Sequence, residues 1–157
     1  MDVGSFDEIA AEFDARIRKI VWCTMATVDR GGRLRSRMMH PIWEGPQGWV
    51  ATRADSLKAK HLEVNPHVSL CYWDPDHRQV FADCTASWVT DAAEKERIWK
   101  LYAATEPPLG YDLSMIWKGG VDDPEYGLLR LDPWRIELSS ILEMEDGRMK
   151  TRVWRGP

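Results

Sequence analysis

The stretch TRADSLKAKHLEVNPHVSLCYW, residues 52–73, changes character three times and decides how the surrounding chain folds. A polar break comes first, a short amphipathic run follows at residues 56–63, and a mostly apolar run occupies residues 67–73 after a proline. This pattern predicts a short helix, capped by Asp55 or Ser56, between two strands.

Further strand-like runs lie on both sides of this helix. The predicted strands are residues 21–29, 33–44, 48–53, 67–73, 78–89, 126–145 and 149–154. Two longer helices are predicted at residues 5–20, where Ser5 and Glu8 form an S-x-x-E capping box, and at 91–102, started by Asp91 and Glu94. Residues 104–124 are predicted to form a long irregular loop. We therefore predict a mainly β (α+β) fold, a six- to seven-stranded antiparallel barrel with a few peripheral helices, in a single domain of residues 1–157.

Composition and charge narrow the class of protein. With 44% hydrophobic and 29% charged residues, the chain is typical of a soluble globular protein. It contains no apolar run long enough to span a bilayer, and its acidic start does not resemble a signal peptide, so we expect a cytoplasmic protein without a membrane partner. The net charge of −4 disfavours nucleic acid as a partner.

The charge is distributed unevenly along the chain. Residues 33–78 contain seven Lys and Arg against five acidic residues, which makes this segment +2 and the remainder −6. Within it, Arg53, Ser56 and Lys58 surround the start of the short helix, where cations are unfavourable unless an anion binds. The segment indicates either a site for a small anionic ligand such as a phosphate or an ordinary solvated helix with incidental basic residues.

Several short motifs occur together in one order. They are RSRMMHP (residues 35–41), Ala51-Thr52, SLK (56–58), NPHVSL (65–70) and RQV (78–80). In this order and spacing they resemble the FMN-binding split β-barrel family, which includes pyridoxamine 5′-phosphate oxidase and the wider flavin and deazaflavin oxidoreductases. The resemblance covers about residues 21–89, and LDPWRIEL is similar to a later strand of the family.

The resemblance implies a split barrel that binds FMN or, alternatively, a deazaflavin cofactor. It implies an oxidoreductase that transfers a hydride or electrons to or from a small molecule, with NAD(P)H as a candidate donor. A flavin or haem carrier or a redox sensor is the non-enzymatic alternative. Because exposed sheet edges need a partner, and because the family's opposite-strand glutamine often comes from a second subunit, we expect a homodimer.

The family motifs also imply which residues hold the cofactor. The strand along the flavin matches Arg35, Ser36, Arg37, Met38, Met39 and His40. The Tyr-Thr pair matches Ala51 and Thr52, and the Ser-Arg-Lys phosphate motif matches Ser56, Leu57 and Lys58. Leu57 thus replaces the arginine, for which Arg53 could compensate, and Gln79 matches the glutamine of the opposite strand.

Three departures from the family pattern predict an enzyme other than pyridoxamine 5′-phosphate oxidase itself. His40 stands in place of the second lysine of the substrate site, and Ser139 in place of an aromatic residue. We also expect no counterpart of the C-terminal arm that binds pyridoxamine phosphate.

Other chemistry receives little support from the sequence. The four histidines lack zinc-site spacing and no G-x-S-x-G motif occurs, so we expect no metal and identify no catalytic residue. Cys23, Cys71 and Cys84 are interpreted as reduced core residues. Most of the nine tryptophans suit core or interface packing, but Trp117 lies in the predicted loop and is our candidate to cover a cofactor pocket.

Overall fold

The computed structural model describes residues 1–156, which form one sheet of nine strands with three α-helices packed around it. The strands are β1 (Asp2–Val3), β2 (Cys23–Val28), β3 (Leu34–Met39), β4 (Ile42–Glu44), β5 (Gln47–Arg53), β6 (His67–Trp73), β7 (Arg78–Trp88), β8 (Tyr126–Glu145) and β9 (Arg148–Arg155). The helices are α1 (Asp7–Ile20), α2 (Leu57–Leu62) and α3 (Ala92–Ala104). No helix within residues 1–156 is long and apolar enough to cross a membrane.

The sheet has the order β3-β2-β6-β7-β8-β9-β1, and its strands are antiparallel except for the parallel pair β1 and β9. β8 is the common partner, because it pairs with β5 near its start, with β7 along its middle and with β9 toward its end. β4 pairs with β5 and follows directly after β3, so the link at residues 40–41 connects the far edge of the sheet to the β4–β5 hairpin. The predicted mainly β, antiparallel barrel with peripheral helices is therefore confirmed.

Nine strands are present in residues 1–156 rather than the predicted six or seven, and two short strands account for most of the difference. The predicted strand at residues 33–44 is divided into β3 and β4 at His40 and Pro41. Proline has no N–H to donate to a ladder, so pairing is interrupted there. β1 adds two residues that pair with β9.

Alternation along β2 positions the main core. Cys23, Met25 and Thr27 are buried on the inner face, whereas Thr24 points outward. On α1, Ile9, Phe13 and Ile17 share one stripe and complete this core from the other side. Complete burial of each such apolar side chain contributes about 1.5–3 kcal/mol. This core fixes the inner face of β2, against which the candidate site is built.

The predicted helix starts are confirmed in part. Asp91 accepts a hydrogen bond from the backbone N–H of Glu94 (2.7 Å), as expected for an N-cap. Glu8 accepts from the backbone N–H of Ser5 (2.9 Å), which is one half of the predicted capping box, but Phe6 is the N-cap and no side chain caps that end. Ser56 is the N-cap of α2, yet its hydroxyl oxygen contacts Lys58 instead of capping.

The segment predicted as an irregular loop has a core of its own. It contains two short 3₁₀ helices, Leu113–Met115 and Gly120–Asp122, and its apolar side chains pack against α3 and the β4–β5 hairpin. The buried members of this second cluster are Ile42, Trp49, Ile98, Tyr102, Leu113, Trp117, Tyr126 and Leu128. The loop is therefore part of the folded body and covers one side of β5.

Candidate functional site

Lys58 is the centre of the candidate site and is half-buried in the first turn of α2. Its ammonium group donates to the hydroxyl oxygens of Thr52 (2.7 Å) and Ser56 (3.0 Å). Burial lowers the pKa of Lys58, and the positive charges of Arg37 and Arg53 lower it further, while Asp55 opposes the change. The charged form of Lys58 is therefore disfavoured by its surroundings.

Arg37, on β3, is a second half-buried cation of the same site. Its Nη1 donates to the carbonyl of Met25 (3.2 Å) and to the hydroxyl of Thr27 (2.8 Å). Burial lowers the pKa of Arg37, and the neighbouring Arg35 lowers it further. These two acceptors satisfy N–H groups of Arg37, but both are uncharged and do not neutralise its positive charge.

Lys58, Arg37 and Arg35 form what we call the cation cluster. Within residues 1–156, none of the three forms an ion pair with a carboxylate. Burying a cation is unfavourable unless an opposite charge accompanies it. A phosphate placed among these groups would supply that charge, so the cluster fits the anionic end of FMN predicted from the sequence.

Arg53 differs from the cation cluster because its guanidinium is already paired. It donates to Asp55 at 3.0–3.1 Å and to Glu125 at 2.9–3.0 Å. The hydrogen bond and charge of Asp55 raise the pKa of Arg53. The two carboxylates offset the charge of Arg53, which could replace the missing phosphate-motif arginine only by leaving them.

The remaining residues of the phosphate motif lie beside Lys58 at the end of β5 and the start of α2. Thr52 is buried and Ser56 is half-buried, and both oxygens face Lys58. Leu57, where the family has an arginine, is 46% exposed. The N–H of Ala51 donates to the hydroxyl of Tyr102 (3.3 Å), which holds this part of β5 in place.

The strand predicted to run along the flavin divides its side chains between two faces. Arg35, Arg37 and Met39 share the inner face, and Met39 is buried in the main core. Ser36 and Met38 are exposed on the outer face. β3 thus brings only its arginines into the cation cluster.

His40 belongs to a separate aromatic group at the end of β3. Its ring lies 4.8 Å from those of both Trp22 and Tyr111, and its Nε2–H donates to the carbonyl of Leu109 (2.8 Å). Burial lowers the pKa of His40, which the hydrogen bond to Leu109 partly offsets. The surroundings of His40 therefore disfavour its charged form, unlike the lysine that the family has there.

Gln79 lies at the start of β7, and β6 and β2 separate its strand from β3. Its side-chain oxygen accepts from the hydroxyl of Ser139 (3.2 Å), and its carbonyl accepts from Arg16 (2.7 Å). The chain does not bring Gln79 into the cation cluster. The prediction that Gln79 contacts the cofactor from a second subunit stays a prediction.

Trp117 lies in the segment predicted as a loop, but it is packed into the second cluster rather than left free of the core. Only 4% of its surface is exposed, and its ring lies 5.2 Å from that of Tyr126 within the second cluster. Neither the indole N–H of Trp117 nor the hydroxyl of Tyr126 has a partner within residues 1–156. Trp117 packs there with residues of α3 and the β4–β5 hairpin, and the prediction that it covers a cofactor pocket stays a prediction.

One row across the outer face of the sheet carries no charge. Met38, Thr24, Cys71 and Phe81 are directly opposite one another on β3, β2, β6 and β7. Met38 is 58% exposed, and Trp73, farther along β6, is also more than half exposed. We call this row the uncharged face.

Sequence reasoning missed Thr27 and His61, which lie directly behind Arg37. Thr27 is fully buried, His61 is 7% exposed, and their Oγ1 and Nδ1 atoms are 2.8 Å apart. The sequence signal that could have identified Thr27 is its polar side chain at an inward-facing position of β2. For His61 the sequence offers only the metal-ligand interpretation, and residues 1–156 contain no group of three His, Cys, Asp or Glu able to hold a metal.

A family model described as pyridoxamine 5′-phosphate oxidase matches residues 9–140. The chain belongs to this family. The match includes the cation cluster, Thr27, His61 and Gln79, so the family resemblance inferred from the ordered motifs is confirmed. A comparison with proteins of curated function found no significant match.

Solved structures with different ligands share the fold. One is an FMN-binding protein from Nostoc punctiforme that is related to pyridoxamine 5′-phosphate oxidase. It is 15% identical with a TM-score of 0.63, and the match covers 99% of this chain and 98% of that chain. HutZ, a haem storage protein from Vibrio cholerae, is 22% identical, with a TM-score of 0.59 and coverages of 80% and 89%. An F420 reductase is 19% identical, with a TM-score of 0.57 and coverages of 78% and 94%. At these identities the likeness shows the fold alone.

Proposed function

We propose that this protein is an FMN-dependent oxidoreductase acting on a small molecule. The observation that carries the proposal is the cation cluster, whose half-buried Lys58 and Arg37 have no carboxylate partner within residues 1–156. An FMN phosphate would compensate both charges with charge-assisted hydrogen bonds. The FMN-binding neighbour from Nostoc punctiforme supports this choice of ligand.

Each residue of the site would have a distinct task. Lys58 and Arg37 would hold the phosphate, and Arg35 would add positive potential. Thr52, whose oxygen already accepts from Lys58, retains a hydroxyl proton to donate. Bound FMN would itself supply the hydride or electron transfer, which is why no acid–base or nucleophilic group needs to be assigned.

We further propose that the active form is a homodimer joined through the uncharged face. Its four opposed side chains, Met38, Thr24, Cys71 and Phe81, can be buried without leaving a charge unpaired. A second copy would also bring its Gln79 close to the site, a position that this residue does not reach within one chain. The predicted cytoplasmic location and NAD(P)H as electron donor remain predictions.

A deazaflavin such as F420 is the second candidate cofactor. It also carries anionic groups, and an F420 reductase shares the fold. The same cation cluster would bind its phosphate, so the geometry of the cluster does not distinguish the two cofactors.

The test is identification of the ligand that the protein retains. The protein is purified without added cofactor, its absorption spectrum is measured, and the ligand released by denaturation is weighed by mass spectrometry. FMN would support the proposal, and a deazaflavin would favour the second candidate. Haem as the sole ligand, or failure of the apo protein to bind added FMN, would refute it. Turnover of NAD(P)H with an electron acceptor then separates an enzyme from a flavin carrier.

A further inference from the structure

Three side chains form a continuous hydrogen-bonded row that starts at Arg37 of the cation cluster and leads inward. Nη1 of Arg37 on β3 donates to Oγ1 of Thr27 on β2 at 2.8 Å, and that oxygen lies 2.8 Å from Nδ1 of His61 on α2. Thr27 is fully buried and His61 is 7% exposed. The row therefore connects the candidate phosphate site to the inside of the molecule.

The direction of these hydrogen bonds follows from the groups involved. A guanidinium can only donate, so Arg37 occupies an acceptor position on the Thr27 oxygen. The single hydroxyl proton of Thr27 needs an acceptor, and His61 Nδ1 is the acceptor within reach. Leaving a buried hydroxyl proton unpaired is unfavourable, so Nδ1 accepts and His61 carries its ring proton on Nε2.

This arrangement restricts how Arg37 can point. The two N–H groups of Nη1 are used on Met25 and Thr27, which fixes the plane of the guanidinium. Within residues 1–156, the N–H groups on Nε and Nη2 have no acceptor, and they are left for a ligand. β3 is an edge strand on which the preceding inner-face residue, Arg35, is exposed, so an unrestrained arginine there would sample many rotamers.

We propose that Thr27 and His61 are positioning residues that pre-orient Arg37 for a phosphate. The inference rests on the proposed function, because it assumes that Arg37 binds the FMN phosphate. Packing alone does not require a hydroxyl at residue 27, since Met25, its inward neighbour on β2, is fully buried with an apolar side chain. Pre-orientation strengthens binding because the side chain loses less freedom when the ligand arrives.

The test compares FMN with riboflavin, which lacks the phosphate. Thr27→Val keeps the shape and removes the hydroxyl, and we expect it to weaken FMN binding roughly 2- to 10-fold while leaving riboflavin binding unchanged. Thr27→Ser should restore FMN affinity. A second pair avoids dependence on one variant: His61→Leu should weaken FMN binding selectively, and His61→Asn, whose Oδ1 can accept from Thr27, should restore it.

The possible outcomes separate the inference from the proposed function. Equal losses for FMN and riboflavin, or no loss for either, would show that Thr27 and His61 serve only the fold and would overturn the inference. Lys58→Met is the reference variant: if it discriminates FMN from riboflavin while the Thr27 and His61 variants do not, the inference alone fails. If Lys58→Met also fails to discriminate FMN from riboflavin, the phosphate site is misplaced, and both the inference and the proposed function fail. A ¹⁵N spectrum showing a protonated Nδ1 on His61 would also overturn the inference.

Discussion

Replacing Lys58 by Met removes the ammonium group of the cation cluster and keeps most of the aliphatic stem. Two of the three ammonium N–H groups donate to Thr52 and Ser56, so one remains for a phosphate. A hydrogen bond to a charged group contributes about 1.5–3 kcal/mol, which corresponds to a loss of roughly 10- to 150-fold in FMN affinity. Riboflavin has no phosphate, so we expect its affinity to change by less than about twofold, well below one such hydrogen bond.

The stability of the ligand-free protein provides an internal check on this substitution. Burial lowers the pKa of Lys58, so removing its charge relieves an unfavourable term in the folded state. Losing its two hydrogen bonds acts in the opposite direction. We expect the free energy of unfolding in urea to change by no more than about 1 kcal/mol, because the two effects oppose each other.

The assay is titration of FMN and riboflavin into the apo forms of the wild type and the variant. Lys60→Met is the matched control, because Lys60 lies on the same short helix, is exposed and is not part of the cation cluster. We expect it to leave both affinities unchanged. Equal losses for the two ligands in Lys58→Met, or an equal loss of FMN affinity in Lys60→Met, would refute the assignment of the phosphate site.

Three further results are expected from the same structure. Because the pKa of Lys58 is lowered, FMN affinity should decrease as the pH rises through a value below the ordinary 10.5 of lysine, and the decrease should be absent for riboflavin and in Lys58→Met. Tyr102→Phe removes a buried hydroxyl that contacts the carbonyls of His40 and Trp49 and the N–H of Ala51, so it should cost about 1–3 kcal/mol in urea unfolding, whereas Tyr111→Phe should not. Thr24→Glu places a charge in the centre of the uncharged face and should yield a monomer in sedimentation experiments, whereas Thr90→Glu should not; a Thr24→Glu dimer would argue against that interface.

Local patterns were sufficient to predict most of the elements. The alternation through Cys23 and Met25 indicates β2, and the motif Asp91 to Glu94 indicates the start of α3, since both depend on residues close together in sequence. The combination of Ser56 and Lys58 at a helix start leaves an anion site and an ordinary solvated helix as alternatives, and the structure adds that Lys58 is half-buried and has no ion pair within the described residues.

What could not be predicted depends on contacts between distant parts of the chain. Arg53 is paired with Glu125, which is remote in sequence, so its availability cannot be inferred from its neighbours. Trp117 becomes core only because the long loop packs against α3 and Trp49. Thr27 and His61 meet because β2 and α2 pack together, and neither residue belongs to a recognisable motif.

The shared use of β8 bears on how the chain folds as it is synthesised. β5 pairs with β8 between residues 48 and 131, and β7 pairs with it along most of its own length. A ribosome adding about 5–20 residues per second must therefore complete β8 some seconds after β5 has emerged. During that interval Val50 and the inner residues of β7, fully buried in the finished protein, lack their main partner strand and remain open to aggregation or to chaperones. Slow codons placed before residue 126 should lengthen this vulnerable period, whereas those placed after residue 145 should affect only the last strand.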